Sequence, residues 1–188
     1  LFIEAQRVRL RLHGIDAVAP VLERLGVIDA EHEGRVALEP CPLRIGAVLA
    51  GASKRILNGC DAFGTAIGLA FQIQDDYLDL TQSAQQTGKA VLTDLRERQH
   101  TVFTQYIAQN GSEAQKQTLV GLIGKSLTEN DRPMVHMLFE ESGAFAAGKQ
   151  RMNKLFDDAL QALEGLKKQK AKTDELEALV QFIRERTH

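Results

Sequence analysis

The sequence predicts an all-α protein, and three observations carry that prediction. Apolar residues recur at steps of three and four along most of the chain, Gly, Asn and Pro fall between the periodic stretches, and no segment sustains an alternation worth assigning to a sheet. With 188 residues the chain reads as one domain, long enough to bury a proper core. Its net charge of -2 advertises neither nucleic acid nor an anionic membrane as a partner. The two cysteines, Cys41 and Cys60, have no metal-ligand spacing and read as small apolar residues. No run of eighteen apolar residues and no signal peptide is visible, so a cytoplasmic protein without a membrane span is expected; the first residue is Leu1, so targeting information could precede it.

Residues 1–41 carry little pattern. Residues 1–12 mix apolar side chains with Arg7, Arg9 and Arg11 in near alternation, which suits a strand or a snorkelling helix face equally. Residues 16–25 read as a helix with Val18, Val21, Leu22 and Leu25 on one side and Gly26 as its stop. His13 and His32 lack partners at ligand spacing and read as surface residues, and residues 30–40 read as a connection. Residues 43–57 are apolar almost all round, with Gly46, Ala47, Ala50, Gly51 and Ala52 permitting close approach, and predict a buried helix. Lys54 and Arg55 then suit the negative end of its dipole.

Residues 58–80 form the stretch around which the rest is organised. Phe63, Ile67, Ala70, Phe71, Ile73 and Leu78 supply apolar bulk, whereas Asp61, Thr65, Gly68, Gln72, Asp76 and Asp79 recur at steps of four and three, marking one small or polar helix face. Asp75 and Asp79 stand one turn apart with Asp76 beside them, so their oxygens could converge on one hard cation. Magnesium suits such a group because it takes oxygen ligands and is completed by waters and substrate phosphates. An isolated D-D-x-x-D is as readily a solvated acidic face, but the phenylalanine, isoleucine, tyrosine and leucine that flank this one weigh against that reading. Three unpaired buried carboxylates would cost several kcal/mol each, so water, a basic group or a cation must face them.

Residues 81–89 read as a loop containing Thr87-Gly88-Lys89. Thr93 or Asp94 would cap the next helix, which carries Val102, Phe103, Tyr106 and Ile107 inward and stops at Asn110-Gly111. Ser112 with Gln115 has the capping-box spacing and opens a helix through Leu127; Pro133 lies near the first turn of another, containing Val135, Met137, Leu138 and Phe139, that ends around Gly143. Helices over 149–166 and 173–184 complete the set, the last with Leu176, Leu179, Val180 and Ile183 on one face. Asp157-Asp158 lacks a third acid and reads as an exposed face, and Lys167, Lys168, Lys170 and Lys172 as a solvated connection.

The run Phe71-Gln-Ile-Gln-Asp-Asp-Tyr-Leu-Asp-Leu80, followed by Thr87-Gly88-Lys89, by Asp94-Leu95 and by Thr101, resembles the trans-isoprenyl diphosphate synthases of the polyprenyl synthetase family. The run from Pro42 to Ala52 is also similar to the helix that precedes the second aspartate-rich motif of that family. The resemblance implies an isoprenoid-synthase-type helical bundle, incomplete at its amino-terminal side, with residues 1–41 a poorly matching segment and residues 42–188 the carboxy-terminal half of a synthase domain. It further implies a transferase that uses Mg2+ to condense isopentenyl diphosphate with an allylic diphosphate, as a homodimer or as a heterodimer with a synthase subunit. By the same resemblance Asp75 and Asp76 are metal-facing, Asp79 is a ligand or an outer acceptor, Gln72 stabilises the cation or orients a water, and Lys89 meets the allylic diphosphate. Phe71 and Tyr77 are read as core.

Three departures stand beside these matches. No earlier aspartate-rich motif is present, the Lys-Thr pair of the family falls on Glu33-Gly34, and the later lysine falls on Gln99 although Thr101 is kept. They leave three readings: a synthase whose amino-terminal half lies outside this sequence, a non-catalytic partner subunit that docks on a synthase, and a class I terpene cyclase. The Thr-Gly-Lys run disfavours the last.

Overall fold

A computed structural model of the chain describes residues 42–82 and 92–186. Among the described residues there are eight α-helices, one short 3-10 turn and no strand. The helices are α1 Pro42–Leu49, α2 Lys54–Thr81, α3 Thr93–Arg96, α4 Val102–Asn110, α5 Glu113–Leu122, α6 Arg132–Glu141, α7 Ala144–Lys167 and α8 Asp174–Glu185, with the 3-10 turn Glu129–Asp131 before α6. The all-α expectation is met. Two compact units are present: the described residues up to Ala66 with Asp158–Leu176, and Ile67–Asp157 with the described residues from Glu177 onward.

In the first unit the single buried helix expected over 43–57 is replaced by two elements. Gly51 adopts a φ of +72°, a conformation that glycine takes without a Cβ penalty, and so ends α1. Ser53 then accepts the Ile56 N–H at 3.4 Å and opens α2. Lys54 and Arg55 consequently lie in the first turn of α2, at the positive rather than the negative end of a dipole. Both are exposed, so water screens the mismatch. No residue of α1 is buried, and Arg44 pairs with Asp61. The buried apolar side chains of this unit are Cys60, Phe63 and Ala66 from α2 with Ala159, Leu163 and Leu166 from α7. Gly59 sits so close to Leu166 that a Cβ there would lie 2.6 Å from its Cδ2.

The second unit holds the larger core. Ile73 and Leu80 from α2, Leu95 from α3, Phe103 and Ile107 from α4, Leu119 and Leu122 from α5 and Phe139 from α6 are all buried within it. Tyr77 packs edge-on to Phe145 at 5.2 Å, against the core as its sequence context predicts, whereas Phe71, read as core beside it, is 41% exposed. The helix starts read at Ser112 and Pro133 are formed. Ser112 accepts the Gln115 N–H at 3.3 Å while Gln115 accepts the Ser112 N–H at 2.8 Å, and Pro133 stands in the first turn of α6. Helix α5 ends at Leu122 rather than Leu127, ahead of Gly124 at φ +78°.

The one helix expected from residue 93 to 110 is two. Arg98 adopts φ +60° between α3 and α4, and Thr101 starts α4 afresh through a reciprocal cap with Thr104. Lys167, Lys168, Lys170 and Lys172 are exposed, as expected of a solvated connection, and so is Asp157. By length and composition alone α2 could cross a membrane, but its own aspartates and its share in both cores fit a packed helix equally.

Candidate functional site

The acidic run occupies the last two turns of α2, where one side of the helix is anchored in the core by Ile73, Tyr77 and Leu80. That anchoring fixes how the polar side chains between them emerge. The four side chains Gln72, Asp75, Asp76 and Asp79 each meet a defined group.

Asp76 is 7% exposed and accepts from Gln72 Nε2 at 2.7 Å through Oδ1. Gln72, one turn earlier, therefore orients a carboxylate directly. Burial raises the pKa of Asp76, the Gln72 bond opposes that rise, and Asp75 and Asp79 add to it, leaving the group at about 6. The Asp75 Oδ1 accepts from Arg186 Nη2 at 3.0 Å. Asp79 accepts two backbone donors, the Thr93 N–H at 3.1 Å on Oδ1 and the Asp94 N–H at 3.0 Å on Oδ2. It thus supplies the cap of α3, for which Leu92 at the N-cap position offers no side-chain acceptor. This corrects the expectation that Thr93 or Asp94 caps that helix.

The capping bonds bring a fourth acid to the cluster. Asp94, on α3, is pushed up to about 7 by burial first and then by Asp79, Asp76 and Asp75, with a smaller contribution from Glu97. Asp94 and Arg186 are the two charged groups that the sequence reading does not place here. Asp94 belongs to the Asp94-Leu95 pair of the family resemblance, a signal that its reading as a helix cap absorbs, whereas nothing local marks Arg186, 111 residues from its partner.

Asp75, Asp76, Asp79 and Gln72 are therefore gathered on one helix end, and Lys89 lies outside the described residues. Among the described residues no three His, Cys, Asp or Glu side chains form a ready metal cage. The donor chemistry nevertheless suits magnesium, which needs only one or two protein carboxylates when phosphates and water complete its shell. The residues that offer them are Asp75 and Asp76, carboxylate oxygens without a thiolate or imidazole nearby in sequence. Burial first, and the neighbouring carboxylates after it, raise Asp76 and Asp94, and a bound cation would offset the part that comes from like charge.

Comparison with known proteins returns one family throughout. Residues 37–141 match the family model described as polyprenyl synthetase. The chain is 28% identical over 174 residues to a short chain isoprenyl diphosphate synthase of Methanothermobacter thermautotrophicus, covering 88% of this chain and 52% of that protein. It is 32% identical over 151 residues to a geranylfarnesyl diphosphate synthase of Aeropyrum pernix, covering 80% and 46% respectively. Among solved structures it is similar to a geranylgeranyl pyrophosphate synthase from Corynebacterium glutamicum complexed with isoprenyl diphosphate and magnesium, with a TM-score of 0.64, 26% identity and coverage of 76% of this chain and 40% of that one. The chain spans about half the length of the curated relatives it matches.

Proposed function

The chain belongs to the polyprenyl synthetase family, and from that premise we propose that it carries the second aspartate-rich half-site of an isoprenyl diphosphate synthase, which condenses isopentenyl diphosphate with an allylic diphosphate. The observation that supports this most is the helix end itself: Asp75 and Asp76 side by side, Asp76 held by Gln72, and Asp94 brought alongside by Asp79.

Each residue has a physical task in this reading. Asp75 and Asp76 hold Mg2+, and Gln72 keeps the Asp76 carboxylate in one rotamer. Asp79 acts as the outer acceptor of its two expected roles, fixing α3 so that Asp94 stands at the cluster. Lys89 contributes a point charge to the allylic diphosphate. Bound magnesium would supply Lewis-acid charge that draws electron density onto the leaving diphosphate. The tight core behind α2 keeps the carboxylates from relaxing as that charge develops.

Residues 42–188 correspond in this proposal to the carboxy-terminal half of a synthase domain, acting in the cytoplasm as a homodimer or beside a synthase subunit. The reading as a non-catalytic partner subunit is favoured by one feature of the described chain, Gln99 in the place of the family's lysine. A calorimetric titration with a bisphosphonate, with and without Mg2+, tests the half-site. Binding that requires Mg2+ is expected; equal binding without it would contradict the assignment.

A further inference from the structure

Three of the contacts that Arg186 makes run to α2. Its Nη2 donates to Asp75 Oδ1 at 3.0 Å, its guanidinium lies 4.9 Å from the centroid of the Phe71 ring, and its carbonyl accepts from Gln74 Nε2 at 2.9 Å. Phe71, Gln74 and Asp75 are spaced at three and four residues, so they present one continuous strip of α2 to the segment that follows α8. Gln74 is 4% exposed and its Oε1 is buried without a hydrogen-bond partner among the described residues, so burial confines the amide that holds the Arg186 backbone.

The three holds differ in how readily they exchange. The Gln74 bond is buried on one side, and stacking of a guanidinium on an aromatic face tolerates small shifts. The ion pair is more accessible: the Asp75 side chain is 48% exposed and that of Arg186 is 21% exposed. A half-exposed pair of this kind contributes little net stability. Asp75 is also the first acid of the cluster, and a guanidinium stays charged at every accessible pH. A positive side chain thus already occupies the carboxylate that a metal ion would use.

We propose that Arg186 is a built-in counter-ion of Asp75 that a divalent cation displaces, so that cation binding and release of the Arg186 guanidinium are one equilibrium. The proposal rests on the reading of Asp75 as a cation-facing residue. Two positive groups cannot share one carboxylate at contact distance without repulsion. By reciprocity, if the cation loosens Arg186, removing the Arg186 charge must tighten the cation. The Gln74 bond and the Phe71 face keep the backbone beside α2 while the side chain moves, so exchange does not require unfolding of α8.

The test is calorimetric titration of Mn2+ alone into the full chain, comparing wild type with Arg186→Gln, Arg186→Lys and Asp75→Asn. Arg186→Gln should bind about twofold to fivefold tighter, the change that an ion pair of about 0.4–1 kcal/mol converts to. Arg186→Lys, which keeps the charge, should stay near wild type, and Asp75→Asn should bind more weakly. Unchanged or weaker binding by Arg186→Gln, with Asp75→Asn still impaired, overturns the counter-ion and leaves the half-site standing. Absence of Mn2+ binding in both wild type and Arg186→Gln overturns the two together. A second readout holds even if Arg186→Gln does not fold: the Arg186 Nε–H resonance of the wild type should shift on addition of Mg2+, and a fixed resonance at saturation contradicts displacement.

Discussion

The Asp79 carboxylate accepts the backbone N–H of Asp94 at 3.0 Å, so one acid caps the helix on which another acid stands. The same contact that satisfies an orphan donor of α3 also brings two negative side chains together. Structure and electrostatic tension therefore share a residue.

Asp79→Ala removes both capping bonds and should lower stability by about 1–2 kcal/mol. Urea denaturation measures it. A loss well below that range would mean that water replaces the carboxylate at the Thr93 and Asp94 N–H groups without penalty.

Asp94→Asn should stabilise the chain at neutral and alkaline pH. In the folded chain Asp94 holds its proton up to about 7 rather than to the ordinary 3.8, so between those values the folded form binds a proton that the unfolded form has lost. Its contribution is present in full below the unfolded value and lost as pH rises through about 7; Asp76 acts in the same direction through about 6. Melting temperatures measured across this range should fall with rising pH, and the fall should be shallower in Asp94→Asn. A profile unaffected by the substitution would show that Asp94 is not confined beside the other acids.

Gly148→Ala should destabilise by about 1–3 kcal/mol, because a Cβ on Gly148 would overlap the buried Phe103 ring and the core must shift to admit it. Gly68→Ala is the control: it meets nothing within 4 Å and lies inside α2, so it should be neutral or slightly stabilising. Chemical denaturation of the two variants in parallel checks the contrast.

The legible parts of this chain are those whose determinants are local. Ser112 with Gln115, Pro133, and Asn110 before Gly111 placed three helix ends, because caps and breakers act within a turn of themselves. The acidic run was legible for the same reason: its spacing on one helix put Gln72 beneath Asp76. The breaks at Gly51 and Arg98 were not, since the first sits in an apolar run that reads as continuous helix and the second is a non-glycine residue at positive φ. The partners of Asp75 and Asp79 were equally hidden. Arg186 and the start of α3 reach those carboxylates only through the tertiary fold, and a composition rule would assign Asp94 to its own helix cap.

The central claim, that Asp75 and Asp76 hold a cation that in turn holds a diphosphate, is tested most directly by replacing both with asparagine. Magnesium-dependent binding of a bisphosphonate should be abolished in Asp75→Asn/Asp76→Asn while the helical circular dichroism stays that of the wild type. Binding of undiminished affinity in the folded double variant would contradict the account.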